Sequence, residues 1–304
     1  MGVRPSGQQL EISWQDQRAT VVEVGGGIRL YEVAGRPVLE PYAIDAMCDG
    51  AHGAPLIPWP NRLGDGRYCF DGVDYQVALS EPERHNAIHG LLRWRPWRVL
   101  RHTKEQVTVG TWLFPMQGYP FTLDVEVDYA LGEDGLTVTT TAINRGPCAC
   151  PYGAGHHPYL SPGAGRIDDC TLQLEAATRI VTDKERQLPI GTDAVEGSAY
   201  DFRQPRSLGR ERLDFAFTDL ARDAEGRAWA RLCGPDGRHA ELWVDENYPI
   251  IEIYTGDTLS PDRQRKGLGT EPMTCPPNAF KSGEGVIRLE PGQTFTTTWG
   301  ARLR

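Results

Sequence analysis

The sequence predicts an all-β fold, a single large antiparallel β-sandwich domain spanning residues 1–304. Three observations carry that expectation. Short segments of strictly alternating apolar and polar residues recur along the chain, which is the period of a half-buried strand. These segments are punctuated by an unusually rich supply of turn formers, 34 glycines and 23 prolines. No apolar stripe of helical period persists beyond about three turns, so helices are expected to be few and short. The length suits one unit, because all-β folds often exceed 200 residues without dividing.

Taken in order, Thr20 to Val24 and Ile28 to Val33 flank Gly25-Gly26-Gly27, and Tyr68 to Phe70 faces Val73 to Val77 across Asp71-Gly72. Asp-Gly is a strong two-residue hairpin signal. Phe121, Leu123, Val125, Val127 and Tyr129 alternate with polar neighbours, and Gly132 to Gly135 turns the chain into Leu136, Val138, Thr140 and Ala142. One face of that meander must be buried. Cys170 to Ala176 alternates again, and Ala228 to Leu232 meets Ala240 to Val244 across Pro235-Asp236-Gly237. Ile250 to Tyr254 is a nearly continuous apolar run, as expected of a strand covered on both faces. Val286 to Leu289 and Thr294 to Trp299 form the closing pair around Pro291-Gly292. A sandwich of this size offers a broad concave face as the natural ligand site.

Composition narrows the function classes. Hydrophobic residues make up 39% and charged residues 24%, the balance of a soluble globular protein with no apolar run long enough for a membrane span. A formal charge of -9 argues against nucleic acid, whose binding requires clustered Lys and Arg. Met1 to Gln9 has no apolar stretch and no small-residue cleavage site, so it does not read as a secretory signal. Seven cysteines, an odd number without CxxC spacing, read as free thiols of a reducing, cytoplasmic compartment. Cys148 and Cys150 form one close pair, but a zinc site needs four ligands and no matching second pair exists. Nucleotide and hydrolase motifs are also missing. Gly25-Gly26-Gly27 lacks the Lys and Ser or Thr of a phosphate loop, and neither HExxH nor Gly-x-Ser-x-Gly occurs.

The residues suited to chemistry form a sparse set. His157 precedes Pro158 and follows the small residues Gly153, Ala154 and Gly155, so a ligand can approach the backbone there, and an imidazole donates or accepts a proton near neutral pH. Successive side chains of a strand point to opposite faces, so at most one of His156 and His157 faces a ligand, and both could equally be core residues. His89 lies in a glycine-terminated turn after a charged loop. Arg62 follows the rigid segment Pro58-Trp59-Pro60-Asn61, where a guanidinium can fork onto ligand oxygens or form a surface ion pair. Glu271 sits beside Pro272 in the otherwise uncharged segment from Gly267 to Cys275, where burial would raise its pKa and make it a better base. Trp59, Trp94, Trp97 and Trp243 could stack on sugar rings, although aromatics serve core packing as readily.

Read together, Asn61-Arg62, Asn86-Ala87-Ile88-His89-Gly90, Gly155-His156-His157-Pro158-Tyr159, Leu213-Asp214-Phe215-Ala216-Phe217 and Gly269-Thr270-Glu271-Pro272 resemble the aldose 1-epimerase (galactose mutarotase-like) family. They occur in the family's order across most of the chain. The His-His-Pro-Tyr and Glu-Pro-Met-Thr-Cys-Pro-Pro variants look like its bacterial branch. The resemblance implies a β-supersandwich and interconversion of the α and β anomers of a free aldose, without metal or other cofactor. It implies His157 as general acid, Glu271 as general base, and Arg62, His89 and Asp214 as substrate-binding residues, with Asn61 and Asn86 beside them. The segment around Asp214, Glu211 to Leu220, also offers Asp219. The expected partner is a small-molecule sugar, bound by a monomer or homodimer. Two other readings stand beside it: a non-catalytic carbohydrate-binding or sensing protein on the same fold, and a mutarotase for a phosphorylated or sulfonated sugar. The latter calls for extra cations at the pocket rim, with Arg84, Arg93 and Arg95 as candidates.

Overall fold

The computed structural model describes residues 2–163 and 165–304. Among these residues two large antiparallel sheets enclose one continuous apolar core. The first holds twelve strands, labelled here in chain order: β1 (Gln9–Trp14), β2 (Gln17–Val22), β3 (Ile28–Val33), β4 (Arg36–Leu39), β5 (Pro55–Leu56), β6 (Gly155–His156), β7 (Tyr159–Leu160), β8 (Ala176–Thr182), β9 (Pro189–Ala194), β10 (Asp214–Leu220), β11 (Ile250–Tyr254) and β12 (Leu268–Met273). Their spatial order is β1-β2-β3-β4-β7-β12-β11-β10-β8-β9, with β6 pairing to β12 and β5. The second sheet has nine strands centred on Leu123–Gly132, Gly135–Asn144 and Thr294–Leu303.

The alternation in the sequence does what strand geometry requires. Leu123, Val125, Val127, Tyr129, Leu136, Val138 and Ala142 are all buried, while the intervening residues are less covered. The Asp71-Gly72 turn has positive φ at both positions, 50° and 75°, the backbone twist of a tight hairpin. Helical structure is slight, the one α-helix among the described residues being Ala279–Ser282.

One expectation is corrected. Ile287–Leu289 and Thr294–Leu303 do not pair with each other. The first pairs with Cys150–Tyr152 and the second with Gly135–Asn144. Asn144 divides them: its Nδ2 donates to the Leu289 carbonyl at 2.8 Å, and its own carbonyl accepts from Gly292 N at 2.8 Å. The run from Ile250 to Tyr254 is covered on both faces, as its apolar content suggests, with all but the half-buried Tyr254 buried. Ile251 and Ile253 face the core, whereas Ile250, Glu252 and Tyr254 share the opposite face.

That opposite face positions the site. Strands β8, β10, β11 and β12 run side by side, and their like-facing residues form two zones. Ile180, Ala216, Ile250 and Met273 make a small apolar cluster at one end. Asp214, Glu252, Tyr254 and Glu271 occupy the other and line a cavity of about 290 Å³.

Candidate active site

The cavity floor is built from chain segments far apart in sequence. His157 sits between β6 and β7, its backbone pinned by His157 N to the Ala54 carbonyl at 3.1 Å and by Gly53 N to its own carbonyl at 2.8 Å. Its side chain enters the cavity, and its Nε2 lies 3.0 Å from Glu271 Oε1. His156 points the other way into the core, where its Nε2 meets Thr140 Oγ1 at 2.7 Å and its ring packs on Trp299. The strand alternation thus sends one imidazole to each side, and His157 is the one facing the cavity.

Asn61 organises the opposite wall. Its backbone is left-handed, with φ of 54°, a conformation Asn tolerates better than most residues. Its N–H donates to His89 Nδ1 at 3.3 Å, its carbonyl accepts from His89 N at 2.9 Å, and its Nδ2 donates to Glu252 Oε2 at 2.7 Å. A main-chain N–H can only donate, so Nδ1 of His89 is the acceptor and the neutral ring carries its proton on Nε2. Burial, reinforced by the charge of Arg93 and by His157, holds the His89 imidazole well below its usual pKa and keeps it neutral. Gly90 follows with φ of 67°, and a Cβ there would lie 2.1 Å from the Ile57 carbonyl oxygen, so the turn that presents His89 requires glycine.

Arg62 lines the cavity and is held by a fork. Its Nε donates to Glu81 Oε2 at 2.9 Å and its Nη2 to Glu81 Oε1 at 3.0 Å. Asn86 does not line the cavity. Its Nδ2 donates to Glu81 Oε2 at 3.0 Å and to the Arg186 carbonyl at 2.9 Å, so it braces the carboxylate that braces Arg62. It pairs with Gly64, two residues along the strand from the cavity-lining pair of Arg62 and Ile88. Asp214 does line the cavity, with Oδ2 accepting from Gln187 Nε2 at 2.7 Å, while Asp219 is exposed at the far end of β10.

Two acidic residues were hidden in the sequence. Glu252 lies directly across from Glu271 in the β11–β12 register. Its signal was present, as the single charge inside Ile250-Ile251-Glu252-Ile253-Tyr254. Glu81 gave no comparable signal, since it belongs to the charged loop from Glu81 to Asn86. The aromatic surface is also different from that expected: Tyr159 and Tyr254 line the cavity, and no tryptophan does among the described residues. Trp59 and Trp97 are buried, and Trp94 is half exposed. Tyr159 is fixed by stacking on His157 at 4.9 Å and on His52 at 3.7 Å, with its hydroxyl donating to the Gly50 carbonyl at 2.7 Å.

Electrostatics set the acid and base against each other. Burial pushes the Glu271 carboxyl well above its usual range, with Glu252 and Asp214 adding to the rise. Burial likewise holds the His157 imidazole well below its usual value, assisted by the positive side chain of Arg93. Burial thus disfavours the charged form of each, so that one shared proton is favoured over either the doubly protonated or the fully deprotonated pair. Glu252 is raised to about 8, by burial first and by the neighbouring Asp214 second. Of the three candidate rim cations, Arg93 alone acts on this centre through its charge; it is half-buried, in the field of Cys48, Tyr159 and Glu271, and is not among the residues that line the cavity. Arg84 lies behind Glu81 at 3.6 Å, and Arg95 reaches Met116 on the outer surface.

His89, His157 and Glu271 bring one nitrogen or oxygen each within 4.8 Å of one another, the spacing of a metal cluster. The donor chemistry does not fit one. A metal ligand must offer a lone pair, and the cavity-side nitrogen of His89 presents a proton instead.

The aldose 1-epimerase family model matches residues 9–301. The chain is 34% identical to the uncharacterized protein YihR of Escherichia coli K12, over 98% of this chain and 94% of that one. It is 26% identical to human galactose mutarotase over 95% and 86% of the respective chains. Among solved structures, the aldose epimerase homologue of C. elegans superposes with a TM-score of 0.87 at 19% identity, covering 98% of both chains. Galactose 1-epimerase of Lactobacillus acidophilus gives 0.78 at 20%, also over 98% of both. At such identities the structures speak for the fold. The family model, spanning nearly every residue, places this chain in the aldose 1-epimerase family.

Proposed function

We propose that this protein is an aldose 1-epimerase that interconverts the α and β anomers of a free aldose, with His157 and Glu271 as its acid and base. The observation that carries the reading is the 3.0 Å separation of His157 Nε2 and Glu271 Oε1 at the floor of an open polar cavity. Ring opening needs one proton delivered to the ring oxygen and another removed from the anomeric hydroxyl. Those two oxygens sit on one tetrahedral carbon, closer together than a hydrogen-bonded pair, so an acid and base already in contact match their spacing.

His157 gives its proton to the ring oxygen as the bond from that oxygen to the anomeric carbon breaks, and Glu271 takes the proton of the anomeric hydroxyl, leaving an open-chain aldehyde. Rotation about the adjacent carbon–carbon bond exposes the other carbonyl face. Reclosure then returns the proton from Glu271 to the new hydroxyl oxygen and the ring hydroxyl proton to His157. The protons and electron pairs balance, and the enzyme ends as it began. His89 Nε2–H and the Arg62 guanidinium donate to the sugar oxygens, and Asp214 accepts from its hydroxyls. Such positioning can supply several kcal/mol of the barrier.

Polarimetry on freshly dissolved α-D-glucose and α-D-galactose tests this directly. Catalysed relaxation well above the buffer rate is expected, and buffer-rate relaxation on every aldose would favour a binding or sensing role on the same fold. One observation favours the narrower reading of an anionic sugar: the half-buried Arg93 guanidinium, which lies over the Trp94 ring at 5.5 Å, forms no ion pair among the described residues. Catalysis confined to glucose 6-phosphate or a sulfonated hexose would establish that reading. The seven free cysteines support a cytoplasmic, reducing location, and no helix among the described residues is long and apolar enough to cross a membrane.

A further inference from the structure

A working imidazole is usually oriented by a hydrogen bond at its second nitrogen. In His157 the first nitrogen, Nε2, meets Glu271, but Nδ1 finds no partner among the described residues beyond the residue's own main chain. The plane of the ring is set instead by a column of three near-parallel rings. Tyr159 stacks on His157 at an interplanar angle of 16° and on His52 at 5°, with its hydroxyl tied to the Gly50 carbonyl. His52 is fixed in turn through both of its nitrogens. A carbonyl oxygen can only accept, so Nδ1 carries the proton and donates to the Asp49 carbonyl at 2.9 Å. Nε2 is left as a lone pair, and it accepts from Arg263 Nη2 at 2.9 Å.

Arg263 belongs to a segment that walls the cavity. Residues 255–267 join β11 to β12, the strands that carry Glu252 and Glu271, and they supply Thr258 and Leu259 to the cavity lining. Two arginines hold this segment at different places. Arg265 is buried and roots it through Asp168 at 3.0 Å, Asp257 at 3.2 Å and the Gly209 carbonyl at 2.7 Å. Arg263 reaches across to His52 and stands 3.7 Å from Asp49 Oδ1. Between them Leu259 packs over Gly50, where a Cβ would lie 2.5 Å from Leu259 Cδ2 and 3.0 Å from the Tyr159 hydroxyl. The segment therefore presses on the ring column at two points, Gly50 and His52. Resting on the mutarotase reading of the cavity, we infer that Arg263 and His52 are positioning residues for the general acid, holding the Tyr159–His157 stack so that His157 Nε2 meets Glu271 only while residues 255–267 are seated.

Arg263→Met removes the donor and keeps much of the stem. Polarimetry would use whichever of α-D-glucose, α-D-galactose and glucose 6-phosphate the wild-type protein relaxes fastest. The variant is expected to lower kcat about tenfold and leave KM within about twofold, because a misaligned acid costs turnover rather than binding. His52→Phe keeps a ring in the column and cuts its link to Arg263, so it should give the same fall, and the double variant should be no worse than either. Arg263→Lys retains a donor and should stay within about threefold of wild type. The stack itself is read without turnover, by NMR of histidine-labelled protein with the His157 signals assigned from His157→Asn. The ring-current shift that Tyr159 imposes on His157 should shrink in Arg263→Met and persist in Arg263→Lys. If Arg263→Met does not fold, His52→Phe carries both measurements. An unchanged kcat, or a KM rise exceeding the fall in kcat, would overturn the inference and leave the mutarotase reading intact. Should wild-type protein relax no sugar, the mutarotase reading falls and the ring shift decides alone: its loss in Arg263→Met upholds the clamp on the stack, and its persistence overturns it.

Discussion

Glu252 and Glu271 face each other across the β11–β12 ladder, two buried carboxyls on one face of the sheet. Direct cross-strand neighbours have Cβ atoms about 5 Å apart, and like charges so close cannot both ionise freely. Asp214 crowds the same zone, while Arg62 and Arg93 oppose it. The arrangement keeps Glu271 a strong base, because a carboxyl beside a second carboxyl holds its proton longer. Glu252→Gln preserves the acceptor for Asn61 and removes the charge. Activity requires one proton in the His157–Glu271 pair. The alkaline limb of kcat/KM therefore follows loss of the pair's one proton, and the acid limb follows gain of a second. Losing Glu252 lowers the Glu271 pKa, so the alkaline limb of the variant should move to lower pH with a severalfold fall in kcat. A limb that stays in place or moves upward would count against the coupling.

His157→Asn and Glu271→Gln each remove one member of the pair without altering its volume greatly. Each is expected to slow anomerisation by at least about 100-fold, the usual scale of a lost general acid or base. The double variant should be little worse than either alone, since one proton shuttle is broken in all three. Near-UV circular dichroism and the thermal midpoint separate lost chemistry from lost fold. Full additivity of the two effects would argue that the residues act independently.

Glu81 acts through Arg62, and Asn86 acts through Glu81. Glu81→Gln breaks a charged fork of the kind that contributes about 1.5–3 kcal/mol, and the freed guanidinium loses its aim. The expected outcome is a rise in KM of about tenfold with kcat within about threefold, because binding rather than proton transfer is affected. Asn86→Ala should give the same pattern more weakly, and the double variant should fall short of the product of the two effects. A kcat loss exceeding the KM rise would place Glu81 in the chemistry itself.

The fold was largely legible because alternation is a local property. The Leu123–Asn144 meander and the Asp71-Gly72 hairpin could be read residue by residue. Pairing of distant strands is less local, which is why the Ile287–Leu289 strand goes to Cys150–Tyr152 although its sequence neighbours suggest a hairpin. At the site, motifs carrying unusual residues next to Gly or Pro stood out, as at His89, His157 and Glu271. Glu252 was masked by its apolar flanks, and Asn86 shared a motif with His89 while its side chain turns to Glu81. A motif reports that a segment matters to the site. Which of its side chains reaches the ligand depends on the strand face, and that only the assembled sheet decides.

The tautomer of His89 yields a last test. Three donors within 4.8 Å invite a divalent cation, yet Asn61 N–H holds Nδ1 as an acceptor at 3.3 Å and so places the ring proton on the cavity side. Binding a metal through Nε2 would require moving that proton to Nδ1, against the Asn61 N–H, at the cost of a buried unsatisfied donor worth about 1–3 kcal/mol. Exhaustive dialysis against EDTA should therefore leave the anomerisation rate unchanged, and added Zn²⁺ should inhibit only weakly, through His157 and Glu271 alone. Loss of activity on chelation, restored by a stoichiometric divalent ion, would show that the His89 ring adopts the other tautomer and that the cluster is a metal centre.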